Sequence, residues 1–161
     1  MAITKNNTRM LEGEISKANL FASNNSSQAL SATTWTDVVL ANDSLDTANA
    51  FANNTFTPPV TGYYCIQGAV SVECSDANDM SYLGVRLTKG GSAIAGTEHF
   101  LSETHAQGGS NTNFSSASAN TFVIAYLTPS DTIKMQVYAN AGVGNLSVSN
   151  SASSLGIFQI A

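Results

Sequence analysis

From Trp35 onward the chain is a succession of short apolar runs cut by turn residues, and no stretch sustains a helical period over three turns. The breaks carry their own chemistry: Pro58-Pro59 with Gly62, Lys89-Gly-Gly-Ser92, Gln107-Gly-Gly-Ser110, Pro129-Ser-Asp131 and Ala141-Gly-Val-Gly144. Many short strands at this spacing imply a sandwich or jelly roll and exclude alternating βα units. The expected strands are residues 35–40, 50–56, 62–73, 81–88, 94–101, 120–127, 132–139, 144–149 and 155–161.

Side chains in a strand alternate between its faces, so each run predicts its own core side. In residues 62–73, Tyr64, Ile66, Val70 and Val72 share one face, with Tyr63, Cys65, Gln67 and Ser71 opposite. In residues 132–139, Ile133, Met135 and Val137 point one way and Lys134, Gln136 and Tyr138 the other. The first set of each pair is the predicted core.

At 161 residues the chain is sized for one domain. Residues 35–161 read as that head. Residues 1–34 are less patterned, with Ser23-Asn-Asn-Ser-Ser-Gln28 at their centre, and read as an N-terminal arm whose anchors are Met10, Leu11, Ile15, Leu20 and Phe21. Only 11% of residues are charged, against about 25% in an average globular protein, so Ser, Thr, Asn and Gln build the polar surface. The net charge is −5 and the six Lys and Arg are dispersed, which argues against nucleic-acid backbone binding. The longest apolar run, Phe122-Val-Ile-Ala-Tyr-Leu127, is far below the roughly 20 residues of a membrane helix. The N-terminus has no apolar stretch of the signal-peptide type, so synthesis in a cytosol is expected. Cys65 and Cys74 fall in one expected strand, where nine steps of about 3.3 Å separate them by about 30 Å. A disulfide needs Cα atoms within about 7 Å, so free thiols are expected.

Three blocks resemble the globular head of complement component one-q and its tumour-necrosis-factor-like relatives. Trp35-Thr-Asp-Val-Val-Leu40 with Phe56-Thr-Pro-Pro-Val-Thr-Gly-Tyr-Tyr64 is similar to that family's tryptophan-led first strand and its entry into a long second strand. Val85-Arg-Leu-Thr-Lys-Gly-Gly-Ser92 resembles its strand ending in a Lys-Asn-Gly-type turn. Leu127-Thr-Pro-Ser-Asp-Thr-Ile-Lys-Met-Gln-Val137 resembles its Leu-x-x-Gly-Asp signature, with Ser130 in the glycine's place. The closing Ser154-Leu-Gly-Ile-Phe-Gln-Ile160 keeps Gly156 but changes the aromatic residues around it, and no Gly-x-y stalk precedes the head. The resemblance implies an all-β jelly-roll sandwich that closes as a homotrimer, with Tyr82, Tyr138 and Phe158 as the expected interface group. The opening, Ile3-Thr-Lys5 followed by Arg9-Met-Leu-Glu-Gly13, is similar to the start of short tailed-phage virion proteins, in which such a segment anchors a head to the particle.

Enzymatic signals are thin. No Gly-x-Ser-x-Gly elbow, Cys-x-x-Cys pair, phosphate loop or dinucleotide glycine pattern is present. His99 and His105 flank a stretch holding Glu103, but a polar strand end and loop accounts for them without a metal. Ser75-Asp-Ala-Asn-Asp79 has hard oxygen ligands of the kind calcium takes, yet lacks the length and closing Glu of an EF-hand loop and reads as an Asx turn. No cofactor, metal or catalytic residue is expected. The expected function is a trimeric capsid decoration or head-fibre part of a phage virion, whose partners are its own copies and a major capsid or other virion protein. The alternative is a receptor- or glycan-binding head working through residues 104–113 and 139–150, with little aromatic surface for a sugar apart from Phe114.

Overall fold

The computed structural model describes residues 17–76, 80–102 and 114–160. Among these there is no helix. The strands are β1 (Asn19–Ser23), β2 (Gln28–Leu30), β3 (Thr36–Asp37), β4 (Asn42–Asp46), β5 (Phe51–Ala52), β6 (Thr55–Phe56) and β7 (Gly62–Cys74), then β8 (Met80–Lys89), β9 (Ser92–Ala93), β10 (His99–Ser102), β11 (Ser116–Leu127), β12 (Ile133–Ala141), β13 (Leu146–Val148) and β14 (Ser154–Gln159). They form two antiparallel sheets. In the first, β11 lies along one edge of β7; along the other, β14 pairs with Tyr64–Ala69 and β13 with Val72–Cys74. Beyond β14 come β1 and β4, and beyond β13 comes β2. The second sheet runs β10-β8-β12-β6-β5, with β3 also on β12 and β9 on β8.

The predicted faces are the observed ones. Tyr64, Ile66, Val70 and Val72 of β7 meet Ile133, Met135 and Val137 of β12 in one core that also takes Leu20, Phe56, Leu87, Leu127 and Ile157. Gly68 leaves room for a side chain of the facing sheet, since a Cβ there would lie 2.7 Å from the sulfur of Met135. Two hairpins turn on paired left-handed residues, Gly90 and Gly91 between β8 and β9 and Asn53 and Asn54 between β5 and β6. Positive φ at both central positions is what a two-residue turn between twisted strands requires. Ser130 is not among the residues with positive φ, so no glycine is needed there; Asp131 closes that turn by accepting from the Thr128 amide at 2.8 Å.

Some expectations need correction. Residues 50–56 are not one strand but fold back at Asn53 and Asn54 as the β5–β6 hairpin. The boundary at residue 34 does not hold, because β1 is inserted between β14 and β4 and β2 extends β13. Asn24 locks this segment in place: its side-chain amide donates to the Ser149 carbonyl at 2.6 Å and accepts from the Ser153 amide at 2.8 Å. Within residues 35–40 only Thr36–Asp37 pairs as strand, and within residues 94–101 the sheet resumes only at His99. Thr97 breaks that run by turning its hydroxyl to the Ile94 carbonyl at 2.8 Å. Cys65 and Cys74 are free and lie on the same unbroken strand, Cys65 turned outward and Cys74 inward.

Candidate functional site

Two outward faces carry large exposed apolar side chains. On the first sheet they occupy one half only. Tyr126 of β11 stands opposite Tyr63 of β7, with ring centroids 5.2 Å apart. In the next row Cys65 lies between Ile124 and Phe158, and in the next Gln67 lies between Phe122 and Gly156. Phe21 and Leu45 extend that row. A Cβ on Gly156 would come within 3.4 Å of the Phe158 ring and 4.0 Å of Phe21, so both rings lean over bare backbone. Phe122, Ile124 and Tyr126 are each more than half exposed. The other half of the face is polar, with Asn120, the Ser71–Ser118 hydroxyl pair at 3.0 Å, and Glu73 beside Ser116.

On the second sheet the exposed group is aromatic and preassembled. Phe100 of β10 and Tyr138 of β12 flank Gly84 of β8, because all three are register partners. A Cβ on Gly84 would fall 2.6 Å from the Phe100 ring and 3.1 Å from Trp35. Trp35 contacts Phe100 and Tyr138 at centroid distances of 5.7 and 5.5 Å, and those two rings meet at 6.0 Å. Thr33, two residues earlier, takes φ 57°, a costly conformation for a β-branched residue, while its amide donates to the Ala139 carbonyl at 2.9 Å. This bend delivers Trp35 onto the sheet. The Arg86 guanidinium stacks on the indole at 4.1 Å, donates to Gln136 at 2.8 Å and pairs with Glu98 at 3.3 Å. Beside it Asp37 accepts from Lys134 at 2.7 Å and from Gln136 at 2.8 Å. Partial burial alone would raise the Asp37 carboxyl, but the Lys134 and Gln136 hydrogen bonds outweigh it and hold the group below its usual value. One row on, Tyr82 and Asn140 face each other across β8 and β12 and complete a cleft of about 450 Å³ with Phe100 and Tyr138.

The expected interface group is therefore divided. Phe158 lies in the apolar half of the first sheet, whereas Tyr82 and Tyr138 belong to the aromatic cleft on the opposite side of the sandwich. Of the expected particle anchors, Leu20 is fully buried in the core and Phe21 lies exposed on the first sheet; Met10, Leu11 and Ile15 lie outside the described residues. Residues 104–113, with His105, and Asn78 and Asp79 of the acidic loop are also outside them. His99 is exposed on β10, Asp76 lies against Gly144, and Phe114 is half-buried beside the core. Among the described residues no three His, Cys, Asp or Glu side chains group closely enough to hold a metal. Sequence reasoning missed the exposed β11 row, though its signal was present: a strand apolar on both faces is one that expects cover on both.

No protein-family model and no curated protein matches the chain. Solved structures do. The globular domain of zebrafish complement 1qA superposes with a TM-score of 0.60 at 14% identity, covering 90% of this chain and 98% of that one. Murine APRIL gives 0.61 at 14% identity over 89% and 99%, and Eiger TNF from S. frugiperda 0.59 at 15% over 90% and 93%. The chain thus has the jelly-roll fold of the complement-head and tumour-necrosis-factor domains.

Proposed function

We propose that the chain is a non-enzymatic, homotrimeric jelly-roll module that serves as a structural part of a phage virion, as capsid decoration or head fibre. The observation that carries the trimer is the half-apolar outer face of the first sheet. Contiguous apolar surface of this kind, bordered by polar residues, marks an interface. Closing three copies around an axis covers Tyr63, Phe122, Ile124, Tyr126 and Phe158 and shields the long β11 edge from uncontrolled strand pairing. Each of these side chains is partly covered already, so closure contributes less than the roughly 1.5–3 kcal/mol of complete burial, multiplied over three interfaces. The virion assignment is supported by the phage-like opening of the sequence and the low charge, with residues 1–16 as the remaining anchor.

Ile124→Asp and Phe158→Asp test the trimer, since both positions are exposed and outside the core. Light scattering should report a trimer for the parent and folded monomers for the variants; a monomeric parent, or variants of unchanged mass, refutes the reading. Deleting residues 1–16 tests the anchor, and a truncated head that still binds capsids at full occupancy removes it. A second reading, a receptor- or glycan-binding head, is favoured by the aromatic cleft, which lies on the face turned away from the proposed interface.

A further inference from the structure

We propose that the cleft between Tyr82, Phe100, Tyr138 and Asn140 binds a neutral sugar ring; this rests on the second reading, that of a ligand-binding head. The cleft is built and not left over. Phe100 seats on the bare backbone of Gly84, in space that any other residue would fill, and Trp35 braces both Phe100 and Tyr138 from behind. Rings held by mutual edge contacts lose little freedom when a ligand arrives, which is how a small site gains affinity without area.

The chemistry of the lining selects the ligand. Tyr82 and Phe100 are nearly half exposed and supply apolar surface on which the C–H face of a pyranose can lie. The Asn140 carboxamide and the tyrosine hydroxyls supply donors and acceptors together, the combination that vicinal sugar hydroxyls require. The Asn140 amide already donates to Ser81 at 3.3 Å, which fixes its position at the rim. The charges nearby are matched, Arg86 by Glu98 and Lys134 by Asp37. Among the described residues beside the cleft, a sulfated or sialylated ligand finds no unmatched cation, and a basic one no unmatched carboxylate. The volume of about 450 Å³ lies within the range of small-molecule sites.

Trp35 is the sole tryptophan and touches two walls of the cleft, so its emission reports occupancy. The full chain is titrated with methyl glycosides of glucose, galactose, mannose and N-acetylglucosamine, and screened on an array holding neutral, sialylated and sulfated glycans. At least one neutral glycoside should shift Trp35 emission saturably, and Tyr82→Ala and Asn140→Ala should each weaken that binding tenfold or more with an unchanged β spectrum. If the array is bound but both variants bind as the parent does, the cleft is overturned while the ligand-binding reading stands. Binding confined to sialylated or sulfated glycans overturns the neutral class. A proline-rich peptide that shifts Trp35 where no sugar does makes the cleft a protein site and overturns the proposal. An array with no bound glycan overturns the sugar assignment and the glycan-binding form of the second reading together.

Discussion

Leu20→Ala asks whether the segment before residue 34 belongs to the domain. Leu20 has no exposed surface, sits between Ile157 of β14 and Asp46 of β4, and faces the shared core. Replacing a buried leucine by alanine loses its transfer free energy and leaves a cavity, at a cost of about 2–5 kcal/mol. A domain of this kind has a total stability of about 5–15 kcal/mol, so one substitution removes a large share of it. With a urea slope of about 2 kcal/mol/M, the unfolding midpoint should fall by roughly 1–2.5 M with the slope unchanged. Truncation extends the test. Deleting residues 1–16 should leave the midpoint within error, whereas deleting residues 1–30 removes β1, β2 and the Asn24 clasp, exposes Leu155 and Ile157 and orphans the edge of β14, and should abolish cooperative unfolding. Far-UV circular dichroism and near-UV tyrosine signals follow both. A 1–30 deletion that still unfolds cooperatively at the parent midpoint would refute the reasoning and restore the arm as a separable piece.

Other outcomes follow from the same geometry. Gly84→Ala should displace Phe100, shift Trp35 emission and cost about 1–3 kcal/mol while retaining the fold; unchanged emission would mean the rings do not seat as described. Tyr138→Asp should leave the assembled mass unchanged by light scattering, because the residue faces away from the proposed interface; a monomer would return Tyr138 to the axis. Cys65 should resist iodoacetamide in the parent and react readily in Phe158→Asp, as measured by mass spectrometry; equal rates would remove it from a covered surface. Asp37 has a lowered folded-state value, so its contribution is present above the ordinary aspartate value of about 3.9 and lost as pH falls through the folded one. Asp37→Asn should therefore lower stability at pH 7, by no more than about 1 kcal/mol for a pair more than a third exposed. That deficit should close in strong acid, and a urea midpoint difference constant with pH would contradict it.

The long strands were legible because their alternation is strict and their turns chemically explicit, as in β7, β8 and β12. β1, β2 and β4 were not, because Asn19-Leu-Phe-Ala-Ser23 is short and set in a polar stretch, Asn42-Asp-Ser-Leu-Asp46 is itself polar, and both become strands only between partners already in place. Tertiary pairing overrides such weak local preference. The aromatic cleft was invisible for a different reason. Trp35, Gly84, Phe100 and Tyr138 lie apart in sequence; cross-strand register collects the last three, and the bend at Thr33 brings in the first. Tyr82 and Tyr138 were singled out, but without the sheet assignment nothing separated them from Phe158, which lies in the other sheet.

The middle of the first sheet is made from strands far apart in the chain, since Asn19 faces Phe158 and β14 lies between β1 and β7. Pairing of such distant segments is slow, because loop closure must precede any gain from contact. During synthesis the strands of the second sheet, β8, β10 and β12, are all made before β14, so that sheet can form while β1 and one edge of β7 still wait for a partner. In that interval the waiting edges and the apolar rows of β11 are open to neighbouring chains on the same messenger. Arrival of β14 therefore separates two fates, closure within one copy and strand exchange between copies. A chain halted before Ser154 should aggregate more readily than one that extends through Gln159.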